Sequence, residues 1–496
     1  MDSVDLSGLS SGEILIGGEW RRGRGNKYTS IYPADQSVNA DVYGANEDDA
    51  REAIEAADNA WRRADWSGLK PHERAAVLHR ACDLIRERHE WLAQVQRRDN
   101  GKPINETRAL VTSAANTFRY FAACLETLDE SLTPPRGEYL TMSVHEPLGV
   151  VGAITPWNSP IASDAQKIAP ALAGGNSIVL KPAEVTPLAS VALARILEEA
   201  GVPKGVVSVL PGKGSIVGDA IVRHPLVKKI SFTGGTEVGR GIALLAAEKL
   251  MPASLELGGK SPTIVFDDAD LDHAVNGVLY GIFSSSGESC IAGSRLFVQR
   301  SIYHAFVERL VSSARKLRVG DPSLEQTQMG PLISAQHRTS VERFVSLGIE
   351  EGGRVLCGGG RPEGDGFDRG FFFLPTIIEG LSNGALICQK EIFGPVLVVL
   401  PFDDEESLLA DANDSAFGLA AGIWTRDYKR AWRTARALDS GTVWINTYKQ
   451  FSITTPFGGW KDSGTGREKG YLGIREYMQQ KSLYWGLNAA PLAWAD

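Results

Sequence analysis

Little in this sequence could hold the chain together covalently. Five cysteines in 496 residues, an odd number and widely spaced, do not make a disulfide framework and fit a reducing cytoplasm. Metal-ligand spacing is missing as well: the eight histidines are scattered, and none pairs with a cysteine at a zinc-site interval, so no metal is expected. No apolar run reaches the roughly 18 residues that a membrane-spanning helix requires. The opening "MDSVDLSGLSSGE" lacks the basic start and apolar centre of a secretory signal. Basic surplus is absent too, since a net charge of −8 leaves no electrostatic footprint for nucleic acid. The one basic cluster, "RRGRGNK" (Arg21 to Lys27), lies between the strand-like "ILIGGEW" and "YTSIYP" and reads as a solvated turn. Repeats and low-complexity linkers are not found. What remains is a soluble globular chain of two or three domains.

The N-terminal third is helical after a short strand pair. "NEDDAREAIEAADNAWRRADW" sets Ala50, Ile54, Ala57 and Trp61 on one face, with Asn46 as N-cap. A second helical pattern runs from Pro71, which opens it, to Gly101, which closes it. From about residue 148 short apolar runs alternate with helix-length segments: "LGVVGAI", "NSIVLKP", "GVVSVLP", "VKKISFTGG" and "SPTIVFDD". That alternation predicts parallel βαβ units covered on both faces. A second α/β series follows with "SRLFVQ", "RVLCGG", "GPVLVVLPF", "LAAGIWT" and "TVWINTY". The two domains meet around residues 255–290, a natural place for a cleft. "EYLTMSVHEP" and "MQQKSLYW" fit neither domain; they are expected to pair with each other and with another subunit, a surface hairpin being the alternative.

Two glycine-rich loops follow apparent strands, "PGKGSIVG" with Gly214 and Gly218, and "FTGGTEVGRG" with Phe232, Gly234, Gly235 and Val238. Neither is a true G-x-G-x-x-G. In the second, Thr236 could cap a helix whose N-terminal amides attract anions. "VLKPAE" places Lys181 and Glu184 just past a strand end, where they could grip ribose hydroxyls. Together these favour a nucleotide. Between the domains stands "SSSGESCIAGSR", with Cys290 among small residues and no partner thiol.

"ITPWNSP", "LELGGKSP", "GESCIAGSR" and "EIFGPV", with "KPAE", "FTGGTEVG", "MGPLIS" and "PFGGWKDSGTGRE" in the same order, resemble the aldehyde dehydrogenase superfamily from about residue 15 to 485. The resemblance implies oxidation of R–CHO to R–COO⁻ with NAD⁺, NADP⁺ being left open, on two Rossmann-like parallel-sheet domains plus a small β-strand oligomerisation arm. The expected division is 1–124 with 147–258 for NAD binding, 259–463 for catalysis, and 125–146 with 464–496 for the arm and tail. A homodimer or homotetramer acting on a small-molecule aldehyde follows.

Cys290 takes the nucleophile's role by resemblance, and elimination agrees: Cys82 and Cys124 lie in helical patterns, and Cys357 and Cys388 have no catalytic motif around them. The resemblance makes Asn158 the oxyanion donor, Glu256 the base that activates water, and Lys167 and Glu468 a proton relay behind it or a plain salt bridge. It assigns Lys181 and Glu184 to the adenosine ribose, and the "TGGTEVG" helix start to pyrophosphate. Glu391 would hold the nicotinamide ribose, with Phe393, Leu257 and Gly258 close by, and Ile154, Thr155 and Trp157 bordering the tunnel. Glu184 opposes a 2′-phosphate, so NAD⁺ is preferred.

Gly235 stands where the family usually has a serine, and Glu288 where glutamine is common; the Glu288 carboxylate is expected to point away from the thiol. Ser159, Ser163 and Gln166 replace the aromatic and bulky apolar residues of relatives that take apolar aldehydes. With Ser289, Ile291, Phe451 and Phe457 they would line a wider, more polar tunnel for a larger or oxygen-rich aldehyde. Leu492 and Trp494 in the tail could cap a neighbour's tunnel or dangle. A CoA-acylating relative is the nearest rival, disfavoured by Glu256; a non-catalytic protein with this fold is disfavoured by the intact set of Cys290, Asn158 and Glu256.

Overall fold

The runs Val150–Ile154 and Ser177–Lys181 are buried at every position and lie inside a parallel sheet. In the computed structural model, which describes residues 12–488 together with Leu6, Leu9 and Trp494, five parallel strands lie side by side. Their order is Val207–Val209, Ser177–Lys181, Val150–Ile154, Val227–Thr233 and Ala253–Glu256. Antiparallel strands close the edges, Glu13–Ile16 with Glu19–Arg22 on one side and Gly464–Thr465 on the other. The chain leaves Val150–Ile154 in one direction and returns to Val227–Thr233 on its other flank. Such a reversal opens a crevice at the carboxyl ends of those two strands.

Period-two alternation divides the core. Val151 and Ala153 face one helical layer while Val150 and Ile154 face the other. Each side chain of this size taken from water contributes about 1.5–3 kcal/mol. A one-residue slip would exchange the two faces, so the register is strongly specified.

A second sheet of seven strands runs Arg354–Cys357, Thr376–Glu379, Val396–Phe402, Arg295–Gln299, Pro262–Val265, Ala420–Trp424 and Thr442–Ile445. It is parallel except for its first pair. Strand Ala253–Glu256 of the first sheet feeds almost directly into Pro262–Val265 of the second. The first sheet thus offers the ends of its strands to the cleft, and the second offers the segments that precede its strands.

Tyr139–Pro147 pairs antiparallel with Met478–Gly486 over its full length, and Ser131–Thr133 adds a third strand. Of the tail residues, Trp494 is exposed and Leu492 lies outside the described residues. Asn46 caps its helix reciprocally, its side chain accepting from Asp49 N at 2.9 Å while the Asp49 carboxylate accepts from Asn46 N at 3.2 Å. The basic turn is neutralised by that helix: Arg21 lies 3.2 Å from Asp49 and Arg24 lies 2.6 Å from Glu52.

The pattern from Pro71 to Gly101 is two helices, not one: Pro71–Glu87 and His89–Asn100, broken at Arg88 (φ −104°, ψ 20°). Long-range contacts hold the break, since His89 Nε2 lies 2.9 Å from the Arg108 carbonyl and Arg88 pairs with Glu199. Strands Ala253–Glu256 and Thr376–Glu379 also escape the alternation read from sequence. Among the described residues no helix is long and apolar enough to cross a membrane, and no group of three potential metal ligands gathers.

Candidate active site

Cys290 ends a loop driven through left-handed backbone at Ser285 (φ 59°), Ser286 (φ 54°) and Gly287 (φ 72°). Such conformations persist only when the surroundings over-determine them. Here Glu106 accepts from Ser285 N at 2.8 Å and from Ser285 Oγ at 2.9 Å, and Ser286 Oγ donates to the Gly330 carbonyl at 2.9 Å. Gly287 also packs directly on the backbone of Gly394; a Cβ there would stand 2.2 Å from its carbonyl. Gly287→Ala is therefore expected to cost about 1–3 kcal/mol of stability and to push the thiol loop off the 391–396 segment. Denaturant titration and kcat should fall together, and an unchanged kcat would show that the loop adapts.

Asn158 follows the strand Val150–Ile154 and reaches across the cleft, its Nδ2 donating to the Glu288 carbonyl at 3.0 Å. One of its two N–H bonds is so engaged, leaving the other for a further acceptor. Glu288 turns its own carboxylate elsewhere, Oε1 accepting from Ile333 N at 2.8 Å. Glu256 is the last residue of its strand, 5% exposed, and its Oε2 is buried without a hydrogen-bond partner among the described residues.

Burial sets the electrostatics. It holds the Glu256 carboxyl well above the usual carboxylate range, with the negative charge of Glu468 adding to the effect. The Cys290 thiol is pushed up to about 12 by desolvation, then by Glu391 and Glu256, although part of the residue stays open to solvent. Behind Glu256, Lys167 Nζ sits 2.6 Å from Glu468 Oε1 and donates to Ser231 Oγ at 3.1 Å.

At the crevice lies a cavity of about 1280 Å³. Asn158, Glu256 and Cys290 line it, as does every residue that the sequence assigned to a cofactor, from Ile154 to Phe393. Lys167 and Glu468 do not line it. Glu391 accepts from Gly259 N at 3.0 Å, and burial raises its carboxyl to about 7. A Cβ on Gly258 would stand 2.2 Å from Glu391 Oε2, so a side chain there would push that carboxylate aside. Lys181 is buried and pulled down to about 8, with Glu184 opposing that shift. Thr236 is not the cap of its helix; Gly235 takes that place, and no side chain caps the first turn.

The residues assigned to substrate lie off this cavity. Ser159 and Ser163 hydroxyls meet at 3.0 Å, Gln166 is half-buried on the same helix, and Phe451 packs edge-on to Phe457 at 5.5 Å. Ser289 and Ile291 flank the thiol in sequence. His337 was not legible: in "SAQHR" nothing marks it, yet it lines the cavity, approaches the Phe393 carbonyl at 2.7 Å and packs against Trp157. Lys102, Lys449 and Lys469, all electrostatically coupled to the thiol, escaped the sequence reading as well.

A cavity at the switch point of a parallel sheet, with a thiol, an amide and a buried carboxyl in its lining, is where an α/β enzyme binds its ligand. The chain belongs to the aldehyde dehydrogenase family, whose sequence model matches residues 20–483, and it is an aldehyde-oxidising enzyme. It is 41% identical over 483 residues to a betaine aldehyde dehydrogenase of Bacillus subtilis, covering 97% of this chain and 99% of that one. A Brucella melitensis protein of the same name is 43% identical over 472 residues, covering 95% and 96%. Among solved structures, betaine aldehyde dehydrogenase from Staphylococcus aureus in complex with NAD⁺ superposes with a TM-score of 0.97 at 38% identity, covering 99% and 98%. The NAD⁺ complex of aldehyde dehydrogenase from Bacillus cereus gives 0.95 at 39%, covering 98% and 99%.

Proposed function

We propose that this chain oxidises an aldehyde to its carboxylate with NAD⁺, through an acyl group held on Cys290 and released by water. The observation that carries the reading is the convergence of Cys290, Asn158 and Glu256 at one end of a cavity lined further along by Lys181 and Glu184. The residues present fit a dinucleotide. Lys181 and Glu184 suit ribose hydroxyls, the uncapped amides at Gly235 and Thr236 suit the pyrophosphate, and Glu391 suits the second ribose. When bound, NAD⁺ supplies the hydride acceptor.

The Cys290 thiol releases its proton to solvent on its open side, and the sulfur adds to the carbonyl carbon, forming a C–S bond and an oxyanion. The free N–H of Asn158 and the backbone N–H of Cys290 stabilise that charge; one such donor is commonly worth about 10²–10³ in rate. Loss of hydride from the same carbon leaves a thioester. Glu256 then takes a proton from water as the water attacks, the C–S bond breaks, and Cys290 recovers as thiolate. Lys167 and Glu468, buried behind Glu256, offer the proton a way out.

Ser159, Ser163 and Gln166 give the substrate side a polar wall, which suits a larger or oxygen-bearing aldehyde. The three-stranded arm, with Leu132, Tyr484 and Trp485 exposed on it, suits assembly into a homodimer or homotetramer. The cysteine pattern suits the cytoplasm. The test is NADH formation across an aldehyde panel with both cofactors. NAD⁺ is expected to exceed NADP⁺ by about tenfold or more in kcat/KM, from like-charge repulsion at Glu184; a preference for NADP⁺ would overturn the cofactor assignment.

A further inference from the structure

Three lysines outside the lining of the nucleotide cavity, Lys102, Lys449 and Lys469, bear on Cys290 through their charge. Lys469 Nζ lies 3.9 Å from the centre of the Phe451 ring and 5.2 Å from that of Phe457. Lys449 Nζ donates to Ser284 Oγ at 2.8 Å, six residues before the thiol. Lys102 follows Asn100, whose side chain donates to the Asn158 carbonyl at 3.3 Å. Phe451 is 48% exposed, so the aromatic pair stands at an opening to solvent, while Lys469 behind it is only 8% exposed.

Among the described residues none of these three ammonium groups forms an ion pair, although carboxylates bear on each: Glu106 and Glu288 on Lys102, Glu106 on Lys449, and Glu468 and Glu256 on Lys469. Glu106 is nearby but spends both oxygens on Ser285. Lys449 (φ 53°) and Lys469 (φ 60°) also hold left-handed backbone, which glycine or asparagine would adopt at lower cost.

We infer that the substrate is an acidic aldehyde, one carrying a carboxylate at the end remote from the carbonyl, which Lys469 and Lys449 receive with Lys102 supporting the field. This rests on the reading of the site as that of an NAD⁺-linked aldehyde dehydrogenase and narrows it. Burial pulls Lys449 down to about 7 and Lys469 to about 8, so both are poised to regain full charge when an anion arrives. The same geometry disfavours a cation: Lys469 already covers the ring faces that would bind a quaternary ammonium. Betaine aldehyde, the substrate in the names of the relatives, is such a cation.

The test compares kcat/KM of the NAD⁺-supplied enzyme for 4-oxobutanoate, butanal and betaine aldehyde. The expected ratio of 4-oxobutanoate to either of the others is about tenfold or more. Lys469→Leu and Lys449→Gln should each lower the ratio to butanal by about tenfold. Where a variant does not fold, the native enzyme still decides: butanedioate should inhibit butanal oxidation competitively and its uncharged diamide should not. Equal inhibition by the two, an equal or greater kcat/KM for butanal or betaine aldehyde, or an unchanged ratio in both variants would each overturn the inference and leave the aldehyde oxidation standing. An enzyme that reduces NAD⁺ with no aldehyde would overturn both.

Discussion

Cys290→Ala is expected to lower kcat by about 10⁴-fold or more while NAD⁺ binds with nearly its native affinity. The split follows from where the atoms lie. Alanine removes the only sulfur that lines the cavity among the described residues but keeps the backbone that shapes it, and the lining residues Lys181, Glu184 and Gly235 keep their side chains. No other thiol can substitute, because Cys82, Cys124, Cys357 and Cys388 are buried in the helices and sheets. Steady-state NADH formation reads the first quantity, and quenching of tryptophan fluorescence on adding NAD⁺ reads the second, Trp157 being part of the lining. Loss of both would point to collapse of the 285–290 loop, and retention of turnover would remove cysteine from the mechanism.

The residues that shape the nucleotide cavity were legible because their roles are local. A strand end, and a lysine at a strand's last position with a glutamate three residues on, leave marks in a short window, as Lys181 and Glu184 do. The parallel sheets were legible for a similar reason: runs such as Val150–Ile154 are apolar at every position. The break at Arg88 was not, because neither proline nor glycine marks it and contacts from Arg108 and Glu199 impose it. Lys449 and Lys469 were hidden by the same principle. A lysine on a loop is normally solvated, and only the fold's placing of Phe451 and Phe457 turns Lys469 inward. Ser159, Ser163 and Gln166 are polar but uncharged, so they carry no signal of a substrate's charge.

Glu256→Gln separates acyl transfer from release. With the base gone, the first turnover still forms the thioester, so an enzyme mixed with NAD⁺ and aldehyde should give a burst of NADH near one per active site. Steady turnover should then run about 10²–10⁴-fold below native. Mass spectrometry of the stalled enzyme should find the acyl group on Cys290; its absence would move Glu256 to an earlier step, and rescue by CoA would favour acyl transfer to a thiol over hydrolysis. The pH behaviour follows from the raised carboxyl. As a base Glu256 works only when ionised, so native kcat should climb as pH rises through its elevated pKa, and the glutamine variant should lose that limb. Stability should move the opposite way. Because the folded state binds this proton more tightly than the unfolded chain, the protonated group's contribution is fully present below the ordinary carboxylate range. It is lost as pH rises through the folded pKa. The native enzyme should therefore lose Tm relative to Glu256→Gln between mildly acidic and alkaline buffer, which places a destabilising buried charge where the chemistry needs a base.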